Sequence, residues 1–385
     1  MPSTPCPFCF TTIDSSNLGY LCARQGHIKC DPVQDPARLQ ITGNGTPTGL
    51  YIEPASGKKG VAGCPTCQGQ TRRRACPVCH TGLSIDFVGT KNPMLGMVGS
   101  KGAGKTVLAT VMIQQLRKVI SHRFGADLSL ATDNPDGMNS ITEYMQEREQ
   151  DLYKKENLPQ ATQTYEAGKG RVPIVLRWRA DKKSTMLAFL DSAGEDFLSE
   201  ETSSAIRYLQ ACEFLIVALD PFSLPGARDQ LSLPPKAVQG ADNASVYTLH
   251  QITTKLRTSQ GKANRKIQVP VAIAFTKMDA FFPSFEEDNP LLATAPAVPS
   301  YNEADGLAVH EQIRTLLKEW DAWEIETHMS QYYEDYRYFG VSALGAQPDY
   351  DQGHVAAGGV RPHRVEDPIL WLMSKAKMVK AVKPK

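Results

Sequence analysis

Gly99-Ser100-Lys101-Gly102-Ala103-Gly104-Lys105-Thr106 stands directly after an apolar run, Met94 to Val98. Beyond it Val107, Leu108, Val111, Met112, Leu116, Val119 and Ile120 recur at helical spacing, which predicts a helix from Gly104 to about Ser121. Two glycines five residues apart, followed by Lys and Thr and set between a strand and a helix, bind phosphate. The glycines let backbone amides turn inward around an anion, and the helix N-terminus adds its dipole. Lys105 then reaches the β and γ phosphates, and the Thr106 hydroxyl can ligate Mg²⁺. All eight residues are candidate nucleotide-binding residues, with Lys105 also a candidate catalytic group.

Apolar runs and amphipathic segments alternate from Leu83 onward, the pattern of an α/β domain with a mainly parallel sheet. Val172 to Trp178 and Thr185 to Leu190 flank a charged turn at Asp181, Lys182 and Lys183 and read as a hairpin. Phe214 to Leu219 and Val269 to Phe275 read as buried strands, each preceded by a helix, over 199–210 and 243–258. A helix over 306–323 carries Val309, Ile313, Leu316, Leu317, Trp320 and Trp323 in register. A strand near Tyr338 to Val341 and a helix from about Asp367 to Val379 complete the set. Three stretches interrupt it as insertions: 125–170, with a polar helix from Ile141 to Lys155; 221–241, rich in Pro and Gly; and 280–304, acidic and Pro-rich.

Three short motifs come after the phosphate loop, each at the end of an expected strand, where open α/β sheets bind ligands. In Asp191-Ser192-Ala193-Gly194, the Asp can hold Mg²⁺ through water and the Gly194 amide can contact a γ-phosphate. In Thr276-Lys277-Met278-Asp279, the Lys stem can cover a base while the Asp carboxylate accepts hydrogen bonds from guanine N1 and N2. Adenine offers neither donor, and a buried unpaired carboxylate costs on the order of several kcal/mol, so ATP is disfavoured. In Val341-Ser342-Ala343-Leu344, a backbone amide of Ser342, Ala343 or Leu344 can donate to guanine O6.

With these motifs in this order, residues 92 to 380 resemble the Ras-like, translation-factor-related (TRAFAC-class) P-loop GTPases. The resemblance implies a six-stranded, mostly parallel sheet with one antiparallel edge strand. It also implies Mg²⁺-GTP binding, hydrolysis to GDP and phosphate, and two switch segments. A zinc-bearing N-terminal module fused to an enlarged domain of this kind resembles the bacterial double-GTPase proteins linked to conflict systems. Two positions depart from the family pattern. Thr276 replaces the usual Asn, while Lys277 and Asp279 are kept. Glu195 stands where Ras-like enzymes commonly carry a water-positioning Gln. An amide both donates to a phosphate oxygen and accepts from water, whereas an ionised Glu only accepts and repels the γ-phosphate. Slow hydrolysis without a partner is the expectation, and complete suppression would make the chain a GTP-bound scaffold. The family's switch I supplies a Thr to Mg²⁺ and γ-phosphate just before the second strand. Thr162 is the first candidate and Thr164 the second, with Thr132 and Thr142 set behind the polar helix.

Eight of the nine cysteines lie between Cys6 and Cys79, and Cys212, beside a core strand, reads as a buried apolar thiol. The start, Met-Pro-Ser-Thr-Pro-Cys, has neither a basic n-region nor an apolar h-region, so a reducing cytoplasm is expected. Cysteines there bind metal more often than they form disulfides. Cys64-Pro-Thr-Cys67 and Cys76-Pro-Val-Cys79 are knuckles of the kind that hold Zn²⁺ as four thiolates, and they resemble one pair of the zinc repeats of DnaJ-type chaperones. Cys6-Pro-Phe-Cys9 is a further knuckle. Its partners are Cys22 and Cys30, with His27 as a substitute, or, in a crossed arrangement, Cys64 and Cys67. One or two zinc ions are expected, and a closed four-thiolate shell makes the role structural.

The expected division is a zinc-ribbon-like module, residues 1–83, and a P-loop domain, residues 84–385. Lys plus Arg is 42 against 41 Asp plus Glu, which gives the whole chain no drive toward nucleic acid or a membrane surface. The longest apolar run, Phe214 to Leu219, is too short to span a bilayer. The expected partner is therefore a protein effector or activator. Nucleic acid is the alternative, through a module with eight Lys and Arg against four acids and with Arg72, Arg73 and Arg74 between its knuckles. The lysines at 375, 377, 380, 383 and 385 suit a helix C-terminus.

Overall fold

The computed structural model describes residues 3–14, 16–24, 28–54, 57–58, 60–84, 87, 92–100, 102–130, 138–159, 173–180, 183–191, 203–238, 243–260 and 265–383. The chain falls into two compact units, one of residues 1–94, 128–144 and 163–190, the other of residues 95–127, 145–162 and 191–385.

In the first unit, short strands are organised around the cysteines. They are β1 (Ser3–Pro5), β2 (Thr12–Asp14), β3 (Gly19–Leu21), β4 (Tyr51–Ile52), β5 (Gly57–Lys58), β6 (Val61–Gly63), β7 (Gln70–Thr71), β8 (Arg74–Ala75) and β9 (Gly82–Leu83). The hairpins β1–β2, β6–β7 and β8–β9 each carry a Cys-Pro-x-Cys turn at the tip. In each turn the first Cys amide donates five residues ahead and its carbonyl accepts from four ahead. The residue after the second Cys is left-handed each time: Phe10 at φ 65°, Gln68 at 57° and His80 at 55°. A seven-residue helix, α1 (Pro36–Thr42), has no periodicity to signal it; Asp35 caps its start and left-handed Gly43 ends it.

Seven strands enter the central sheet. The second unit holds β10 (Met94–Gly99), β14 (Phe214–Leu219), β15 (Val271–Phe275) and β17 (Tyr336–Gly340), neighbours in that order and all parallel. Every residue of β10, β14 and β15 is buried, as continuous apolar runs require when both faces are covered. The first unit holds β11 (Asp127–Leu130) but for its first residue, β12 (Ile174–Ala180), and β13 (Lys183–Asp191) but for its last, neighbours in the order β11, β12, β13. Strands β12 and β13 form the expected antiparallel hairpin, in register from Ile174↔Phe189 to Ala180↔Lys183. The six-stranded expectation is therefore corrected to seven. The antiparallel strand β12 is not an edge, because β11 lies beside it.

The helix after the phosphate loop runs as α2 (Lys105–Gln115), passes through a π-turn at Leu116–Ile120 and ends as α3 (Ser121–Arg123). The others are α4 (Met138–Tyr153), α5 (Ser203–Ala211), α6 (Pro225–Arg228), α7 (Pro235–Val238), α8 (Ala244–Gln260), α9 (Glu303–Glu319), α10 (Trp323–Tyr332) and α11 (Asp367–Lys375). The single helix expected over 306–323 is two: Trp320 and Asp321 leave helical geometry, Asp321 at φ 52°, and Trp323 starts α10. The insertion at 280–304 ends in β16 (Tyr301–Asn302), which pairs with β18 (Ala381–Val382). Arg364, 3% exposed, anchors it by donating to the Ala293 carbonyl and to Asp305 and Asp367.

Residues 345–360 form a loop closed at its base, where Ser342 and His363 exchange backbone hydrogen bonds and the Arg361 amide donates to the Leu344 carbonyl. Its far end meets the segment after α4: the Leu158 amide donates to the Gly353 carbonyl and the Val355 amide to the Glu156 carbonyl, both at 2.7 Å.

Candidate functional site

In the second unit, the phosphate loop and the two motifs expected to read a base leave the carboxyl ends of β10, β15 and β17. At Gly99 a Cβ would collide with the Ala218 carbonyl of β14, so the first loop position admits only glycine. Gly102 and Gly104 are left-handed, and a Cβ on either would meet nothing within 4 Å, which leaves a concave face lined by backbone. Gly104 caps α2 with no side-chain acceptor, so the first-turn amides have no side-chain cap and suit an anion. Lys105 is buried and its Nζ lies 3.1 Å from the Gly99 carbonyl and 2.8 Å from that of Ser100. The Ser100 hydroxyl is buried without a hydrogen-bond partner among the described residues, an arrangement that costs free energy unless a ligand supplies one. These residues fit a phosphate group.

At the base-reading end, the Thr276 hydroxyl shares its hydrogen between the Ala103 carbonyl at 3.0 Å and the Leu219 carbonyl at 3.2 Å. It ties the end of β15 to the phosphate loop. Lys277 is left-handed, at φ 57°, and its Nζ lies 2.6 Å from Asp220 Oδ2 and 4.8 Å from the Phe222 ring centroid. Asp279 accepts from the Ser342 hydroxyl at 2.5 Å, and burial pushes its carboxyl above the usual range against that hydrogen bond. The Ser342 amide donates to the His363 carbonyl, and its hydroxyl accepts from the Gly345 amide. Ala343 and Leu344 come next, half-buried.

The structure adds two residues that no short motif announces. Asp220 directly follows β14 and Phe222 sits in the 3-10 turn after it, both buried. The one local signal is an acid directly after an apolar strand, Leu219-Asp220-Pro221. Asp191 is the last residue of β13. Lys101, Thr132, Thr162, Thr164, Gly194 and Glu195 lie outside the described residues.

Residues 93–335, from just before β10 to just before β17, match the double-GTPase 2 family. The chain belongs to that family. As a double-GTPase it is a GTP-binding protein. A curated protein of Mycolicibacterium smegmatis, "Putative ESX-1 scaffolding and assembly protein SaeC", is 26% identical to it over 323 residues, 78% of this chain and 79% of that one.

The double-GTPase chain also carries two cysteine tetrads, all eight thiols buried: Cys6, Cys9, Cys76 and Cys79, and Cys22, Cys30, Cys64 and Cys67. Sulfur separations are 3.8 Å for Cys6–Cys79 and Cys9–Cys76 and 3.5 Å for Cys22–Cys67. A tetrahedron of thiolates about 2.3 Å from zinc has edges of about 3.8 Å, so both tetrads fit that ion. A disulfide would bring the sulfurs to about 2.0 Å.

Neither expected pairing is the one formed. The outermost knuckles share one site and the inner cysteines share the other. The cause is the antiparallel pairing of β3 with β8, Gly19↔Ala75 and Tyr20↔Arg74. This pairing sets the chain before β3 beside the chain after β8, and Cys22 beside the chain before β8. His27 lies outside the described residues. His80 joins the outer site to α1: its Nδ1 lies 2.9 Å from Asp35 Oδ2, and its ring stacks on Tyr51 at 3.6 Å. Of the three arginines between the knuckles, Arg73 donates to the Cys22 carbonyl and Arg74 lies over the Tyr20 ring.

Proposed function

We propose that the chain is a guanine-nucleotide switch that hydrolyses GTP to GDP and phosphate, slowly until a partner completes its site. The observation that carries this is the hydroxyl of Thr276 bonded to the phosphate-loop carbonyl of Ala103, with Asp279 three residues on and held by Ser342. One short segment thereby fixes the distance between a phosphate cradle and a base-reading carboxylate. Asp279 accepts from guanine N1 and N2, and the amide of Ala343 or Leu344 donates to O6, because that of Ser342 is committed to His363. Lys105 turns from the loop carbonyls to the β and γ phosphates. Thr106 and Asp191 would hold Mg²⁺, which when bound neutralises charge on those phosphates. Thr162 is assigned to switch I, and Gly194 with Glu195 to the segment that senses the γ-phosphate.

The cysteine module, residues 1–83, is assigned two structural zinc ions and the role of interaction element. A protein partner is favoured, since the mycobacterial relative is named for scaffolding and assembly. Nucleic acid is disfavoured, since Arg73 and Arg74 are engaged inside the module. The cytoplasm is the assigned compartment; among the described residues no helix is long and apolar enough to cross a membrane.

Equilibrium binding of GTP, GDP and ATP to the full chain and to Asp279→Ala tests the nucleotide reading. Tight GTP and GDP binding, at least about a hundredfold over ATP and collapsing in the variant, is expected. Equal affinity for ATP would refute it.

A further inference from the structure

The base-reading motif contains a lysine whose ammonium is already occupied. Lys277 Nζ is 2.6 Å from the Asp220 carboxylate, whose side chain is only 5% exposed. The other carboxylate oxygen accepts from the Phe222 amide at 2.9 Å, which closes the 3-10 turn Pro221–Ser223. The Asp220 amide donates to the Ser245 hydroxyl at 3.0 Å. Asp220 is thus held by β14, by its own turn and by α8. On the remaining side of the ammonium lies the Phe222 ring. The Lys277 backbone is fixed as well, by Thr276 before it and by the turn Met278–Ala280 after it. Both ends of the side chain are therefore anchored, and the four-carbon stem between them is ordered.

We propose that Asp220 is the positioning residue for guanine nucleotides: it holds Lys277 by the ammonium so that the aliphatic stem forms a fixed platform for the flat face of the base. This rests on the guanine reading given above. A free lysine surrenders most of its rotamer freedom when it packs on a ring, and tethering beforehand removes that cost from binding. A stem against a ring face is indifferent to the donors on the ring edge. Asp220 therefore sets affinity for purine nucleotides in general, while Asp279 sets the preference for guanine.

The test uses the full chain, a fluorescent N-methylanthraniloyl GDP, and unlabelled GDP and IDP as competitors; inosine lacks the 2-amino group that Asp279 reads. Asp220→Asn keeps an oxygen for the Phe222 amide and removes the charge pair. About tenfold weaker binding of GDP and of IDP is expected, with their ratio unchanged, whereas Asp279→Ala changes the ratio. In the background of Lys277→Met, which keeps a stem and lacks the ammonium, adding Asp220→Asn is expected to cost nothing further. That comparison also decides the matter if Asp220→Asn alone does not fold, because the double variant removes both charges together. Wild-type affinity in Asp220→Asn, or an equal loss in the Lys277→Met background, would overturn the proposal. A wild-type chain that binds neither nucleotide would instead remove the guanine reading beneath it.

Discussion

At the scale of single residues, small substitutions in a familiar pattern carry the functional consequences. Thr276 is shorter than the Asn usual in the family that the motifs resemble, and its hydroxyl reaches both the Ala103 and Leu219 carbonyls, which ties this motif to the phosphate loop. Glu195, outside the described residues, is the opposite case under the proposed function: an ionised carboxylate has no hydrogen to give a phosphate oxygen and would bring a negative charge to the γ-phosphate. Single-turnover GTP hydrolysis is expected to rise about tenfold or more in Glu195→Gln, and a fast wild type that Gln leaves unchanged would dismiss this role. The residues of the phosphate loop, Asp279 and Ser342 stand out in the sequence as candidates because each motif keeps fixed spacing on one short segment. Asp220 cannot, because its link to Lys277 spans 57 residues and exists only once β14 and β15 lie side by side.

At the scale of elements, legibility depends on length and environment. Strands β10, β14 and β15 are plain because each is an unbroken apolar run buried on both faces. Strand β11 is four residues, Asp-Leu-Ser-Leu, inside a polar insertion, and nothing local separates it from a loop. Helix α10 is hidden because Trp320 and Trp323 keep helical spacing across a break that the left-handed turn at Asp321 creates. The cysteine pairing is hidden for a different reason: knuckles are local, while their partnership is set by β3 against β8. Zinc counting tests that partnership. Cys9→Ser with Cys76→Ser removes ligands from one site and should leave about one zinc per chain; Cys9→Ser with Cys22→Ser strikes both sites and should leave almost none. Equal metal content in the two double variants would contradict the arrangement.

At the scale of the whole molecule, the near-balance of 42 basic and 41 acidic residues leaves stability and association to specific sites. Half-buried His310 and buried His328, both of the second unit, make its stability pH-dependent. His310 Nδ1 accepts from the Tyr338 amide at 3.0 Å, and burial lowers its pKa to about 4. Burial, with the nearby His250, lowers His328 to about 4 as well. The unfolded chain takes up these protons below about 6.5, while the folded chain resists until about 4. The stabilisation is therefore complete above a pH of about 6.5 and is lost as pH falls toward about 4. Thermal unfolding monitored by the fluorescence of buried Trp320 and Trp371 should show a falling midpoint across that window. The slope should flatten in His310→Asn combined with His328→Gln; an unaltered slope would assign the pH dependence elsewhere.

Under the zinc assignment proposed above, the two cysteine tetrads also impose an order in time. A growing chain releases the inner ligands, complete at Cys67, before the outer set is complete at Cys79. The span from Cys9 to Cys76 is 67 residues, of which 45 fall within the Cys22–Cys67 tie, so prior closure of the inner site leaves about 22 for the outer one. That shortcut lowers the entropic cost of closing the second loop by about 1 kcal/mol. On that assignment the first cysteines made, Cys6 and Cys9, are capped only after Cys79 has emerged from the ribosome, although they emerge before every other ligand.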